Sequence, residues 1–529
     1  MSSAAESKKS KKGGAFLVGA GILLSRLAGL VRVKIFAHYF GSSDAGDAFN
    51  AALKIPNFLQ NLFGEGVLSA SFIPVYAKLL AEDDDENSQK LAGAIFSWLA
   101  LTTSCLVLAG IWASPYCIQF IAPGFTEEKK QLTIRLVQIF FPGTGLLVMS
   151  AWCLGVLNSH RRFFLSYVAP VIWNFAIIAV LIVFGGSRSQ SDLAVKASWG
   201  LVLGCALQFL IQLPTTLVLL KKFRPNFDRV SGPVRTVLKN FFPVVIARGV
   251  VQLSAYIDNM LASLLPTGAV SSLAYAQVIY LLPVSLFGMS ISAAELPEMS
   301  SAVGDASEVA AKLRTRIELA LERVTFYVVP SVAAFLFFGD VIVGALYQGG
   351  AFHRENTIEV WAVLAGSTVG LLASTMGRLY SSAFYALRDT RSPLRFALVR
   401  VFLTTVLGYC FALYLPPLLH ISLKWGTAGL TASAGIAGWV EFFLLRRGIG
   451  KKIGAVHLPL EKLGRYWLAL IPGLVLASLL RWPFGSMHPI LLVPLLLGPY
   501  GILYLAICGR LGVGDQVLLQ RLRLGRKSR

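Results

Sequence analysis

Fourteen stretches of this chain are long and apolar enough to cross a bilayer, at residues 15–40, 47–77, 92–121, 132–158, 165–185, 197–220, 238–265, 270–300, 319–346, 357–386, 395–415, 425–445, 465–482 and 489–509. A span takes about 20 mostly apolar residues. Hydrocarbon offers no partner to a free backbone N–H or C=O, so such segments fold as helices. Only 14% of the 529 residues are charged, whereas soluble domains carry about 25%. The expected fold is an all-α polytopic membrane protein. The run after Lys8, Lys9, Lys11 and Lys12 is too long for the apolar core of a signal peptide and is read as a retained first span.

The charge is lopsided: 48 Lys+Arg against 27 Asp+Glu, a formal net charge of +21. On a soluble chain that excess would suggest nucleic acid; on a chain this apolar it sets membrane topology. With the N-terminus inside, the cytoplasmic loops and tails hold 32 basic residues and the outside loops 7. Both termini are therefore expected in the cytoplasm, with an even number of spans. The acidic run Glu82-Asp83-Asp84-Asp85-Glu86 reads as a solvated inside loop.

Nine basic residues remain within the spans. Arg135, Arg400 and Arg510 lie near span ends and reach water by snorkelling, and Lys34 is ambiguous. Arg26, Arg32, Lys54, Arg248 and Arg378 lie deeper. Each costs about 2.5–3.5 kcal/mol at a helix centre, so a polar cavity is expected around them. At 100° per residue, Ser25, Arg26, Gly29 and Arg32 fall in one sector of about 120°. Such a stripe offers two guanidinium groups and a hydroxyl to one space. The alternative is that these arginines only pair with acids on neighbouring helices.

The second span adds Asp47, Lys54, Asn57 and Glu65, with Pro56, Gly64 and Gly66 making it prone to bend. Counting Asp258 and Glu295 among the acids, the deep set stays positive. An anionic substrate follows, and the planar arginine fork suits phosphate.

Chemistry of other kinds is poorly supported. The six histidines are scattered and the six cysteines sit in apolar runs without a CxxC pair. No GxxxxGK[ST] loop offers ATP-driven transport. No cofactor is implied, and coupling to an ion or to the membrane potential remains.

A weak internal repeat has an offset of 227 residues, placing Pro56 on Pro283 and Arg161 on Arg388. Two six-span lobes plus two further spans account for fourteen, and repeats of this kind put a substrate at the midplane. The expected divisions are a basic tail at 1–14, a first lobe at 15–222, a second lobe at 238–446, an extra pair at 465–509 and a basic tail at 510–529.

These residues carry a resemblance. Ser25-Arg26-Leu27-Ala28-Gly29-Leu30-Val31-Arg32, Gly46-Asp47-Ala48-Phe49, Lys54-Ile55-Pro56-Asn57, and Gly64-Glu65-Gly66 through Phe72-Ile73-Pro74 resemble the signature of the MurJ (MviN) family. So do Ala122-Pro123-Gly124-Phe125, Gly155-Val156-Leu157-Asn158 and Tyr385-Ala386-Leu387-Arg388-Asp389-Thr390. The resemblance implies a flippase, not an enzyme, for lipid II in the bacterial inner membrane, within the multidrug/oligosaccharidyl-lipid/polysaccharide exporter superfamily. It implies two six-helix lobes rocking in alternating access, with the last two helices forming a groove for the lipid tail. It also implies lipid II and membrane lipids as partners, a functional monomer and cell-wall synthesis machinery nearby.

By the same resemblance, Arg26 and Arg32 match arginines of a central cationic cavity, while Asp47, Lys54 and Glu65 match polar positions of the second span. Two departures stand out: Gln60 and Val278 occupy positions where relatives often carry arginine. Arg248 is the candidate replacement for one missing charge. Some relatives bind sodium between the seventh, eleventh and twelfth spans; Asp258 is the candidate ligand here, although 395–415 contains no Asp or Asn. The competing readings are an exporter of drugs or polysaccharide lipids and a non-transporting scaffold.

Overall fold

The computed structural model describes residue 21, residues 23–301 and residues 305–514, without the side chains of residues 65, 242, 246–248, 250–255 and 306. The expected tail at 1–14 and all but the first five residues of that at 510–529 lie outside the described residues. The chain divides into two compact units, the first ending at Ser271 and the second beginning at Ser272. Among the described residues both are built of helices, and the only β-pairing is an isolated bridge between Gly349 and Phe352.

The first unit holds α1 (23–40), then α2 (Asp44–Phe63), α3 (Glu65–Ser71), α4 (Ile73–Ala81), α5 (Asp85–Ile121), α6 (Glu127–Ser159), α7 (Phe163–Phe184), α8 (Gln190–Leu219) and α9 (Gly232–Ser263). The unit boundary falls in the first turn of α10 (Ala269–Pro283), which continues through a π-helical turn, Val284–Met289, into α11 (Ser290–Ser300). The second unit continues with α12 (Ala306–Tyr347), α13 (Arg354–Ala386), α14 (Arg391–Tyr409), a second π-helical turn at Cys410–Tyr414 and α15 (Leu415–Leu418). A short 3₁₀ turn, Leu423–Trp425, leads to α16 (Gly426–Ile453), and α17 (Leu460–Phe484) and α18 (Pro489–Leu511) close the chain.

Eleven helices among the described residues are long and apolar enough to span a bilayer. They correspond to all the expected spans except 15–40, 47–77 and 238–265. The first of these runs partly outside the described residues. The second is broken into α2, α3 and α4, as its glycines suggested. At the break, a Cβ on Gly64 would lie 2.2 Å from the Gln60 carbonyl oxygen, a clash only glycine avoids.

The internal repeat is visible in backbone detail. Helices α6 and α13 both have 33 residues, and their ends are separated by the same 227 positions. Each terminates in the same motif. The N–H of Arg162 donates to the Leu157 carbonyl at 2.8 Å, and that of Asp389 to Phe384 at 2.9 Å. Arg161 (φ 59°) and Arg388 (φ 58°) sit in the left-handed conformation that this cap demands.

In the first unit, Phe72, Tyr76, Trp152 and Val156 lie in a buried core, with the Trp152 indole donating to the Ala92 carbonyl at 3.1 Å. In the second, α17 and α18 pack on α12 through Phe326, Phe338, Tyr466, Tyr500 and Tyr504. Pro330 has no N–H, so α12 cannot satisfy the carbonyl of Phe326 four residues earlier. The buried Tyr504 hydroxyl donates to that carbonyl at 2.7 Å.

Candidate functional site

The stripe on α1 runs along α7. A Cβ on Gly29 would come within 3.9 Å of Asn174 Oδ1, and the Arg32 guanidinium lies 4.7 Å from the centre of the Trp173 ring. Asn174 is itself held by a 2.9 Å bond from its amide to the Pro170 carbonyl one turn earlier. Among the described residues Arg32 forms no ion pair, and its Nε is buried without an acceptor. A planar cation held on an aromatic face keeps its N–H edge for a ligand. Ser25 is half-buried and Arg26 exposed on the same helix.

On α2, Lys54 and Asn57 are half-buried one turn apart. Tyr256 of α9 donates to the Lys54 carbonyl at 2.6 Å and stacks edge-on against Phe58 at 5.3 Å. The Lys54 ammonium interacts electrostatically with Asp258. Asp258 thus already faces a fixed cation, and among the described residues no three His, Cys, Asp or Glu come together.

Asp47 has a different setting from the stripe. Its carboxylate accepts from Lys129 Nζ at 2.8 Å, from the Gly268 N–H at 2.8 Å and from the Ser271 N–H at 2.7 Å. Lys129 also pairs with Asp44 at 2.9 Å and lies over the Phe125 ring. Asp47 is 1% exposed. Its bonds tie the start of α2 to α6 and to the start of α10, and its oxygens are occupied by protein donors.

Glu65 opens α3 and Arg248 lies within α9, but both side chains are outside the described residues. Gln60 and Val278 are half-buried neutral groups. Two residues that matter here, Trp173 and Lys129, escaped the reading of the sequence. A tryptophan within an apolar span carries no signal of a cation on its face. Lys129 is one of the seven basic residues of the outside loops, where a solvated charge is expected, yet it is only 8% exposed.

Two helical units, many membrane-length helices and one guanidinium, that of Arg32, without a matching acid among the described residues are the features of a polytopic membrane transporter. Its backbone resembles a solved lipid II flippase MurJ in an inward closed conformation (TM-score 0.77, 24% identity, 94% of this chain and 98% of that one). It also resembles a multidrug resistance MATE family transporter of the MOP superfamily in an inward-facing conformation (TM-score 0.63, 14% identity, 80% and 95%). These likenesses speak to the fold. By sequence, the family model "Lipid II flippase MurJ" matches residues 36–495. The chain is 33% identical to a probable lipid II flippase MurJ of Rhizobium meliloti over 81% of this chain and 78% of that protein. It is 31% identical to the lipid II flippase MurJ of Burkholderia cenocepacia over 87% of each. The chain belongs to the MurJ lipid II flippase family.

Proposed function

We propose that this protein moves lipid II, the undecaprenyl-pyrophosphate-linked peptidoglycan precursor, from the inner to the outer leaflet of the bacterial cytoplasmic membrane. It would thereby supply peptidoglycan synthesis and sustain cell shape. The observation that carries this reading, beside family membership, is Arg32: a guanidinium on the Trp173 face, without an acid partner among the described residues. A pyrophosphate supplies the missing anion, gripped by the arginine fork. Ser25, Arg26, Lys54 and Asn57 are our further candidates for the substrate site, and Glu65 and Arg248 are candidates from the sequence alone.

Transport is by alternating access. The lipid tail stays outside the polar site, and the apolar face of α17 formed by Leu468, Ile471, Val475 and Leu479, all exposed, supports a place for it. An inside-negative potential drives an anion outward by about 2.3 kcal/mol per charge per 100 mV. The membrane potential is therefore our preferred energy source over sodium. The excess of basic residues in alternate loops supports cytoplasmic termini. The protein works as a monomer beside the cell-wall synthesis machinery.

The test is depletion in a bacterium with no second flippase, followed by assay of lipid II on each leaflet. Loss of outward lipid II is expected; unchanged exposure refutes the assignment.

A further inference from the structure

The second unit contains a polar cluster that the proposed pyrophosphate site does not use. Arg400 of α14 pairs with Glu441 of α16 at 3.0 Å, the two side chains being 35% and 17% exposed. Arg378 of α13 interacts electrostatically with both, and with the Tyr280 hydroxyl of α10. Tyr280 in turn shares a 2.8 Å hydrogen bond with Ser374, one turn before Arg378.

All three charges lie within helices of membrane-spanning length. At 1.5 Å per residue, Arg378 is about 12 Å from the end of α13, Arg400 about 14 Å from the start of α14 and Glu441 about 18 Å from the end of α16. The cluster therefore sits at similar depth on three helices, well inside their ends. Two guanidinium groups face one carboxylate, which leaves a positive charge uncompensated. Arg378 is exposed and makes no hydrogen bond or ion pair among the described residues. The Arg400 Nε is buried without an acceptor.

We infer that Arg378, Arg400 and the Tyr280–Ser374 hydroxyl pair form a second anion site, for a phosphate group, in which Glu441 is the resident counter-ion that the ligand displaces from Arg400. Two planar forks suit a phosphate, whose several oxygens accept them together; the Ser374 hydroxyl donates to the Leu371 carbonyl at 3.1 Å, so the Tyr280 hydroxyl donates to Ser374 and must turn from it to reach the ligand. Glu441 holds Arg400 in place while the site is empty and competes with the ligand when it arrives. The same chemistry belongs to a phospholipid headgroup and to free phosphate.

The full-length protein in neutral detergent separates these sources, in an Arg32→Gln background that removes the first-unit guanidinium. Binding of dioctanoyl phosphatidic acid and of inorganic phosphate is measured by calorimetry, with dioctanoylglycerol as the uncharged control. Arg378→Gln should weaken binding at least tenfold, and Arg378→Lys, which keeps the charge without the fork, should weaken it less. Glu441→Gln should tighten binding threefold or more, because the competitor is gone. A structural ion pair would not move in that direction. Binding of the lipid alone assigns a headgroup site, and binding of both probes assigns a site for phosphate itself. The inference is overturned if neither probe binds the parent, if Arg378→Gln leaves both affinities unchanged, or if Glu441→Gln weakens binding as Arg378→Gln does.

Discussion

Lys129 Nζ lies 2.8 Å from Asp47 Oδ2, and both side chains are buried, at 7% and 2% exposure. A buried pair of this kind holds its helices in register, and removing one partner strands the other charge. Lys129→Met should lower stability by about 3 kcal/mol, seen as a fall in Tm of the purified protein. The double variant Lys129→Met/Asp47→Asn should recover part of that loss. An additive double variant would mean that the two side chains are not coupled.

The Arg32–Trp173 contact makes a prediction about transport rather than folding. Arg32→Ala should abolish complementation of a flippase-depleted strain while the protein still inserts and accumulates. Trp173→Leu removes only the aromatic face, and cation–π attraction is about 0.5–2 kcal/mol. It should therefore reduce transport by a few-fold to about thirtyfold. A fully active Arg32→Ala variant would sink the cationic-site model.

Tyr504 should matter because of Pro330. Tyr504→Phe removes the hydrogen bond to the Phe326 carbonyl that proline leaves open, at a cost of about 1 kcal/mol. Pro330→Ala restores an N–H to that carbonyl. In the Pro330→Ala background, Tyr504→Phe should therefore cost clearly less, which a double-mutant cycle on Tm measures.

His160, at the turn between α6 and α7, hydrogen-bonds Tyr76 through Nε2 at 3.1 Å. Burial lowers its pKa below the usual 6.5; Lys221 and Arg162 push the same way and Asp85 opposes them. The unfolded chain then binds the proton more readily than the folded one, so stability rises with pH through this window. The stabilisation is complete above about 6.5 and is lost as the pH falls towards the lower folded value. Tm should drop between pH 7 and pH 5.5, and His160→Gln should flatten that part of the curve.

Much of the architecture was legible because membranes impose simple rules. Apolar length reports a helix, and the glycines of 47–77 marked a weak point where the chain is interrupted at Gly64, while Pro56 lies inside the continuous α2. The 227-residue offset between Arg161 and Arg388 announced a repeat whose helix caps coincide. Of the stripe Ser25, Arg26, Gly29 and Arg32 that helical periodicity puts on one face of α1, Gly29 and Arg32 meet α7, whereas Arg26 is exposed.

What a cation or an acid does with its charge was not legible, because that depends on partners distant in the chain. Asp47 looked like a group for substrate, yet Lys129, 82 positions away, and two N–H groups more than 220 positions away occupy its oxygens. Arg400 looked like a snorkelling residue near a span end, yet it meets Glu441 on another helix. The amino-acid sequence by itself determined that this chain would be a bundle of membrane helices carrying unbalanced positive charge. Only tertiary packing decided which of those charges are neutralised within the protein and which are left for a ligand, because in a low-dielectric interior a charge is governed by whatever lies within a few ångströms of it.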